Sequence, residues 1–494
     1  FQNPLIFHCN TTGAIPILFD MVAQHFQRPI PVASTPDIIK HRFLDGFAYY
    51  LQPERFVTAL IDSYFACPHG LFSLLHEPSF RAHYDRLDNP LRDPITMGIC
   101  TYTAMLQCRR HQVFRSNEQR SMAELYYELS IRQLVDIFDD PERTLDALIT
   151  IELVRNFMML TMRFSENYRW SGVASVLVAN LKAAYPDHTR GADCADPARR
   201  IRHALIHRAI CRHQGSTGIE QIVDFVQGKE CEARVYEPLD ILPGESGPTR
   251  LLLEMTNHWS YLSSLPRFRV LSRFMSRHSQ QTQLEDLVRF EQMVTAWWYG
   301  LPEHLKLHSD LSNVTEHHVK ACDDMPKLSM MMQVHLFHVG IQAQLLSPGL
   351  QEAKEDLNLP YTMIRDRALY LVNRSFLIGL ALIQRSKHHC NDTSVFFMRS
   401  LDTLIMLLKL NDRDISNRLR KVAEAYAKEL ESWDQPESLK SDRSPFSILS
   451  LVPSTETGLL VPLTELYKEY PSPGPAMMFD VLYTSISKLI KKDI

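Results

Sequence analysis

Three potential metal donors stand four residues apart in one short stretch: His203, His207 and Cys211. On a helix this spacing places them along one side, and imidazole and thiolate are the usual ligands of zinc. A closed site would need further ligands from elsewhere in the chain, so the expected role of the three is polar filling of a packed helix. Arg199, Arg200, Arg202, Arg208 and Arg212 lie in the same stretch, with no acid until Glu220. A guanidinium pairs in bidentate fashion with phosphate or with carboxylate. The alternatives are therefore contact with a nucleic-acid backbone or pairing with acidic loops of the same body, and the second is expected. Arg267, Arg269, Arg273 and Arg277 interleave with Phe268 and Phe274. Such mixing can stack on single-stranded bases, but it is read here as a surface helix whose side-chain stems lie over the core.

Asp139-Asp140 and Asp323-Asp324 resemble the paired carboxylates with which helical prenyl-diphosphate enzymes hold magnesium. Neither pair continues to a third acid at the needed position: Arg143 follows one and Lys327 lies after the other. Each runs into a proline, at Pro141 and at Met325-Pro326, which suits an acid capping the positive end of a helix. No H-E-x-x-H, G-x-S-x-G, G-x-G-x-x-G or phosphate-loop pattern occurs. No catalytic residue, cofactor-binding residue or metal ligand is assigned on these grounds, and the chain is not expected to be an enzyme. Met158-Met159 and Met330-Met331-Met332 are soft enough to line an adaptable ligand cavity, although core packing is the simpler role.

The elements that must carry these residues are helical. The 494 residues suffice for about three domains or one large helical body. The apolar fraction is 45% and the charged fraction 22%, as in an ordinary globular protein. Glycine is scarce at 17 residues, Leu, Met and Phe abound, and no alternating run is bounded by a hairpin turn. The formal charge of −4 gives the body no overall pull toward nucleic acid or membrane. No apolar run reaches the ~18 residues of a membrane span. Nine scattered cysteines, with no C-x-x-C among them, fit a reducing compartment better than a disulfide scaffold. The chain opens Phe-Gln-Asn-Pro without Met, so a fragment or processed chain is expected.

Residues 1–52 read as a lead-in broken by prolines. Phe56, Val57, Leu60, Ile61, Tyr64 and Phe65 then predict a helix with one buried side, opened by Pro53 and closed at Pro68-His69-Gly70. Helices are predicted over Pro94–Gln107, Asn117–Phe138, Thr144–Ser165, Tyr168–Ala184 and Ala198–Arg212. "TLDALITIELVRNFMMLTMRF" (Thr144 to Phe164) is apolar around most of its circumference and belongs in the middle of a bundle. Residues 228–250 read as a loop. Helices resume at Leu251–Leu265, Gln283–Tyr299, Lys327–Leu346, Ile364–Ser386, Ser394–Leu410 and Ile415–Ser432. A Pro/Ser-rich tail, 433–494, ends in the amphipathic "AMMFDVLYTSISKLIKK", with Met478, Leu482, Ile486 and Leu489 at helical spacing around Asp480. It is read as a packing helix in preference to an activation segment that folds into a partner's groove.

"HGLFSLLHEPSF" (His69 to Phe80) resembles the entry motif of the regulatory domain, or middle homology region, of fungal zinc-cluster transcription factors. There an amphipathic helix leads into a turn, a short apolar run and then His, any residue, Pro, Ser or Thr, and Phe. Later stretches are similar to that family's elements in the same order. They are the central helix Thr144–Met158, the Trp-led Asn167–Asp187, the Arg-Arg-led Ala198–Gly215 and the loop Pro238-Leu239-Asp240-Ile241-Leu242-Pro243. The distal "WWYGLPEHLKL" (Trp297 to Leu307) and "LFHVGIQAQLLSPGL" (Leu336 to Leu350) follow. The Arg-Arg-led helix departs from the pattern: Arg202, His203 and Ala204 stand near positions usually aromatic, and Cys211-Arg212 where Asp-Arg is usual.

The resemblance, over Gln52 to Leu350, implies an all-α, multi-helix regulatory domain without substantial β-sheet at 53–350, extended by helices at 351–432. It implies a nuclear protein that controls transcription by RNA polymerase II. DNA would be reached through a zinc cluster lying before Phe1, because no six-cysteine pattern occurs in this chain, and no cofactor is expected within the chain. Implied partners are a second copy, transcriptional co-regulators and a small-molecule effector, with no membrane. Two other classes are weighed against this one: a dimerising scaffold of a DNA-bound, kinetochore-like assembly, and a magnesium-dependent prenyl-diphosphate enzyme using Asp139 or Asp323.

Overall fold

The computed structural model describes residues 53–67, 73–105, 111, 113–114, 116–160, 163–216, 237–264, 284–332, 334–335, 346, 361–386, 400–401, 403–405, 407–408, 412–433 and 490. The lead-in 1–52, the break at 68–70, the Arg/Phe stretch 267–277, and the tail after Trp433 apart from Ile490 lie outside the described residues. Among the described residues the fold is all-α, with no strand.

Twelve named helices follow one another: α1 Glu54–Ala66, α2 Glu77–Tyr84, α3 Pro94–Ala104, α4 Ser116–Ile137, α5 Thr144–Leu160, α6 Phe164–Ala184, α7 Pro197–Ser216, α8 Gly247–Ser264, α9 Leu284–Gly300, α10 Glu316–Ala321, α11 Tyr361–Ser386 and α12 Arg413–Trp433. Further helical residues occur at 325–332, 334–335, 400–401, 403–405 and 407–408. Local chemistry sets several of the starts. Asp93 accepts the backbone N–H of Thr96 ahead of α3, with Pro94 at its first position. Pro53 precedes α1, and Glu54 lies in its first turn, at the positive end of the dipole.

Burial explains the arrangement. α1 buries Val57, Leu60, Ile61 and Phe65, the side its periodicity predicts. In α3, residues 94–101 and 103–104 are buried on every side, so it runs through the body. It packs between α1, α4 and α5. In α5, Ala147, Leu148, Ile151, Val154, Phe157 and Met158 are sealed from solvent, as the all-round apolar stretch from Thr144 predicts. One cluster of buried apolar side chains extends from Val57 to Tyr426, and Ile490 packs against it. Met158 and Met330 to Met332 belong to that cluster.

Two stretches differ from their expectation. His76–Phe80, for which no helix is predicted, opens α2: His76 is extended, Pro78 sits in the first turn and the Phe80 N–H bonds back to the His76 carbonyl at 2.9 Å. The predicted helix Thr144–Ser165 ends at Leu160, and α6 begins at Phe164. Between them Arg163 leaves helical geometry, and its guanidinium lies 4.9 Å from the ring centre of Tyr127 and 5.3 Å from that of Phe157. Cation–π contact and the carboxylates of Glu128 and Glu166, each 3.6 Å away, hold it at the joint.

At the other end of the body α11 presents Gly379 to its neighbours. A Cβ there would stand 2.5 Å from His335 Nε2 and 2.6 Å from Tyr426 Oη, and Tyr426 donates to the Phe376 carbonyl at 3.1 Å. Neither neighbour can retreat cheaply through a packed core. Gly379→Ala is expected to lower stability by about 1–3 kcal/mol despite alanine's better helix propensity. Urea unfolding of the two proteins checks this, and a gain in midpoint would contradict it.

Candidate functional site

The residues with the greatest chemical potential converge on α7 and the loop 237–246. Arg208, on α7, has no solvent exposure. Its Nη1 lies 2.6 Å from Oε1 of Glu245, an equally buried carboxylate. Nη2 donates to the Asp240 carbonyl at 2.6 Å and Nη1 to the Leu75 carbonyl at 3.4 Å. Charge, not in-line hydrogen bonding, holds Oε1, which has no hydrogen-bond partner of its own. The other oxygen, Oε2, accepts the Leu242 N–H at 2.8 Å.

The entry motif joins the same point from the opposite side. His76 Nε2 lies 2.9 Å from the Pro243 carbonyl, and Nδ1 lies 2.7 Å from Ser79 Oγ. A carbonyl only accepts, so Nε2 carries the hydrogen and Nδ1 accepts from the serine. Gly244 follows with φ of +83°, a backbone open to glycine at little cost, and a Cβ there would touch Pro78 Cγ at 3.2 Å. Asn257 of α8 closes the loop by accepting from Leu239 N at 2.7 Å and donating to Leu239 O at 3.0 Å.

A second buried charge group lies one turn further along α7. Glu152 of α5 sits 2.7 Å from Arg155 Nη2 and 3.0 Å from His213 Nδ1, with Arg212 Nε at 3.9 Å. Burial alone would raise its carboxyl. The Arg155 charge, the His213 hydrogen bond and Arg212 outweigh burial and hold it at about 2. Arg155 also donates to Ser171 Oγ at 2.8 Å, and His213 Nε2 lies 3.1 Å from Ser175 Oγ, both on α6. Glu152 and Arg155 thus tie three helices together from the inside.

His203, His207 and Cys211, expected to fill a packed helix instead of binding metal, do not converge as a triad. His203 Nδ1 lies 3.7 Å from Cys194 Sγ, and its Nε2 faces Arg199 Nε at 3.5 Å. His207 packs edge-on against His188 at 5.9 Å between ring centres, with Glu237 3.7 Å from its Nε2. Cys211 is partly exposed. Among the described residues no group of three His, Cys, Asp or Glu side chains is placed to hold a metal. Of the arginines of α7, Arg208 is buried and Arg212 half-buried, and both pair with acids, whereas Arg199 and Arg202 are exposed, Arg202 lying 5.3 Å from the Tyr185 ring centre.

The acid pairs act as local anchors. Asp140 accepts from Glu142 N at 2.9 Å and opens the short 3-10 turn Pro141–Arg143. Asp323 pairs with Arg385 of α11, and Asp324 lies 3.9 Å from Lys327, near the start of the helical residues 325–332. Among known proteins, no family model, no curated protein and no solved structure matches this chain. Among the described residues no helix is long and apolar enough to cross a membrane.

Two measurements test the joint. Removing one partner of a buried pair strands the other charge, so Arg208→Met or Glu245→Gln is expected to cost about 3–5 kcal/mol in denaturant unfolding, while the double change Arg208→Met/Glu245→Leu recovers most of that loss. Two single changes of under a kcal/mol would show that the pair carries little. Stability should also fall with acid through His207. Burial, then the charges of His188 and Arg208, lowers its pKa from 6.5 to about 4. The unfolded chain therefore takes up a proton first as pH drops. His207's contribution is intact above pH 6.5 and is lost progressively down to about pH 4, by about 3 kcal/mol in all. His207→Gln should flatten the unfolding free energy across that window, and an unchanged pH profile would refute the assignment.

Proposed function

We propose that this chain is the regulatory body of a fungal zinc-cluster transcription factor, working in the nucleus on transcription by RNA polymerase II. The supporting observation is the Arg208 joint. Three stretches that resemble elements of that family, the entry motif, the Arg-Arg-led helix and Pro238–Pro243, meet here: Arg208 donates to the Leu75 and Asp240 carbonyls, and His76 lies against the Pro243 carbonyl. A shared order of motifs gains physical meaning when the motifs touch.

The proposed mechanism is conformational. DNA would be held by a zinc cluster outside this chain, and the helical body would adopt two packings that differ in how the 237–246 loop sits on α2 and α7. A small-molecule effector or co-regulator would favour one packing, and a differential affinity of about 1–3 kcal/mol suffices for modest control. The joint is suited to this because a buried ion pair tolerates few intermediate positions: either the loop is seated or the charges must be rehydrated.

The experiment is a reporter assay with the chain fused between a heterologous DNA-binding module and a constitutive activating segment. The wild-type body should alter reporter output relative to the fusion without it. Arg208→Met/Glu245→Leu, folded but without the ionic latch, should shift that output at least several-fold. Reporter activity indifferent to the presence of the folded body would sink the proposal.

A further inference from the structure

Three histidines are buried together where α7 meets the 3-10 turn His188–Asp193 and the loop 237–246. His188, His203 and His207 are 8%, 2% and 3% exposed. The turn packs on α7, and the fit is close. A Cβ at Gly191 would stand 3.0 Å from Asp240 Oδ2 of the loop and 3.4 Å from His203 Cβ. The rings of His188 and His207 meet edge-on, and His188 Nδ1 lies 2.7 Å from the Tyr185 carbonyl, so it carries a hydrogen. His203 accepts from Arg199 at Nε2, which leaves its own hydrogen on Nδ1, the atom nearest Cys194 Sγ. His207 Nε2 has no hydrogen-bond partner and faces only the exposed carboxylate of Glu237.

The surroundings favour uncharged rings. Burial first, then the charges of His188 and Arg208, holds His207 below the ordinary histidine value; burial first, then Arg199, does the same for His203. The acids near the cluster compensate little. Glu237 lies in solvent, Asp187 is exposed, Asp240 sits over Gly191, and Glu245 is taken by Arg208. His76 meets the loop only at the Pro243 carbonyl, to which Nε2 donates whether or not the ring is charged. The other buried group on α7 answers acid differently: Glu152 stays ionised down to about 2, so its attachment of α7 to α5 outlasts that of the histidines. We propose that the cluster is an acid-operated latch: protonation of His203 and His207 releases the turn His188–Asp193 and the loop 237–246 from α7, while α7 stays docked on α5 and α6. The direction follows from linkage. Seated rings stay neutral, whereas released rings in water take up protons below about pH 6.5, so release consumes protons and gains as pH falls. His207 alone, at about 4 when seated, makes release about twentyfold more favourable at pH 5 than at pH 7, and His203 adds to it.

Hydrogen exchange of the whole chain between about pH 7 and pH 5, read by peptide and corrected for the intrinsic pH dependence of exchange, tests this. Peptides covering residues 185–196 and 237–246 should lose protection about twentyfold or more. The loss should be steeper than one proton per release, because two rings take part. Residues 145–158 of α5 should keep their protection over the same range. His207→Gln, which fills the site without titrating, should lower the steepness by about one proton. His203→Gln should lower it too, and it reads the same quantity should the first variant not fold. Protection in the turn and loop that ignores pH overturns the proposal. So does an equal loss in α5, or a wild-type steepness in the folded variants. The inference concerns how the loop is seated and is independent of what the body regulates, so exchange and reporter output can fail separately.

Discussion

A guanidinium cannot shed its charge inside a protein, so Arg208, once buried, dictates what surrounds it. Its donors must reach acceptors, and its charge must meet a carboxylate that is itself desolvated. The Leu75 and Asp240 carbonyls and Glu245 meet these demands from two segments separated by well over a hundred residues. The position of the 237–246 loop follows. Glu245 must reach inward, which requires the sharp reversal at Gly244, and the reversal places the Pro243 carbonyl where His76 can donate to it. The short helix α2 is therefore positioned by the loop as well as by Phe80 in the core.

Glu152 applies the same constraint between helices. Its carboxylate is surrounded by Arg155, Arg212 and His213, and these attractions exceed the cost of desolvation, which keeps it ionised well below neutral pH. The two buried charge groups load α7 differently. Arg208 fixes the helix to loop backbone, and His213 and Arg212 fix it to α5. A rotation of α7 would disturb both at once. Apolar packing alone tolerates small slides between helices, but hydrogen-bonded buried charges do not. α7 is thus anchored both to the loop and to the centre of the body.

The all-α class and most helices were legible from periodicity because one-sided or all-round burial leaves a direct trace in residue order: α1, α3 and α5 bury the residues their spacing marks. The site was less legible. The arginines near residue 208 could be read as inward-facing, yet nothing local singled out Arg208 from Arg199 or Arg202, because the partner that distinguishes it arrives from the loop. Pro243-Gly244 announces a turn, but not that Glu245 points into the core. His203, His207 and Cys211 share a helix side as expected, but His203 and His207 meet different neighbours, and a metal face needs convergence that spacing along one helix cannot supply. Helix α2 was missed because eight residues with one buried side chain carry too little periodicity to register.

The choice of ions over apolar side chains at the centre of such a body has a physical rationale. A well-packed hydrophobic substitute for a buried ion pair is often at least as stable, so stability alone does not account for Arg208 and Glu245. An apolar joint would accept several neighbouring seatings of the loop at similar energy. The ionic joint favours the one in which the two charges meet and the Arg208 Nη groups reach the Leu75 and Asp240 carbonyls, and it penalises partial release with the full cost of an unpaired charge. A body built this way has few intermediate packings between loop seated and loop free. That discreteness is what a ligand or partner needs in order to convert a modest difference in affinity into a change of state.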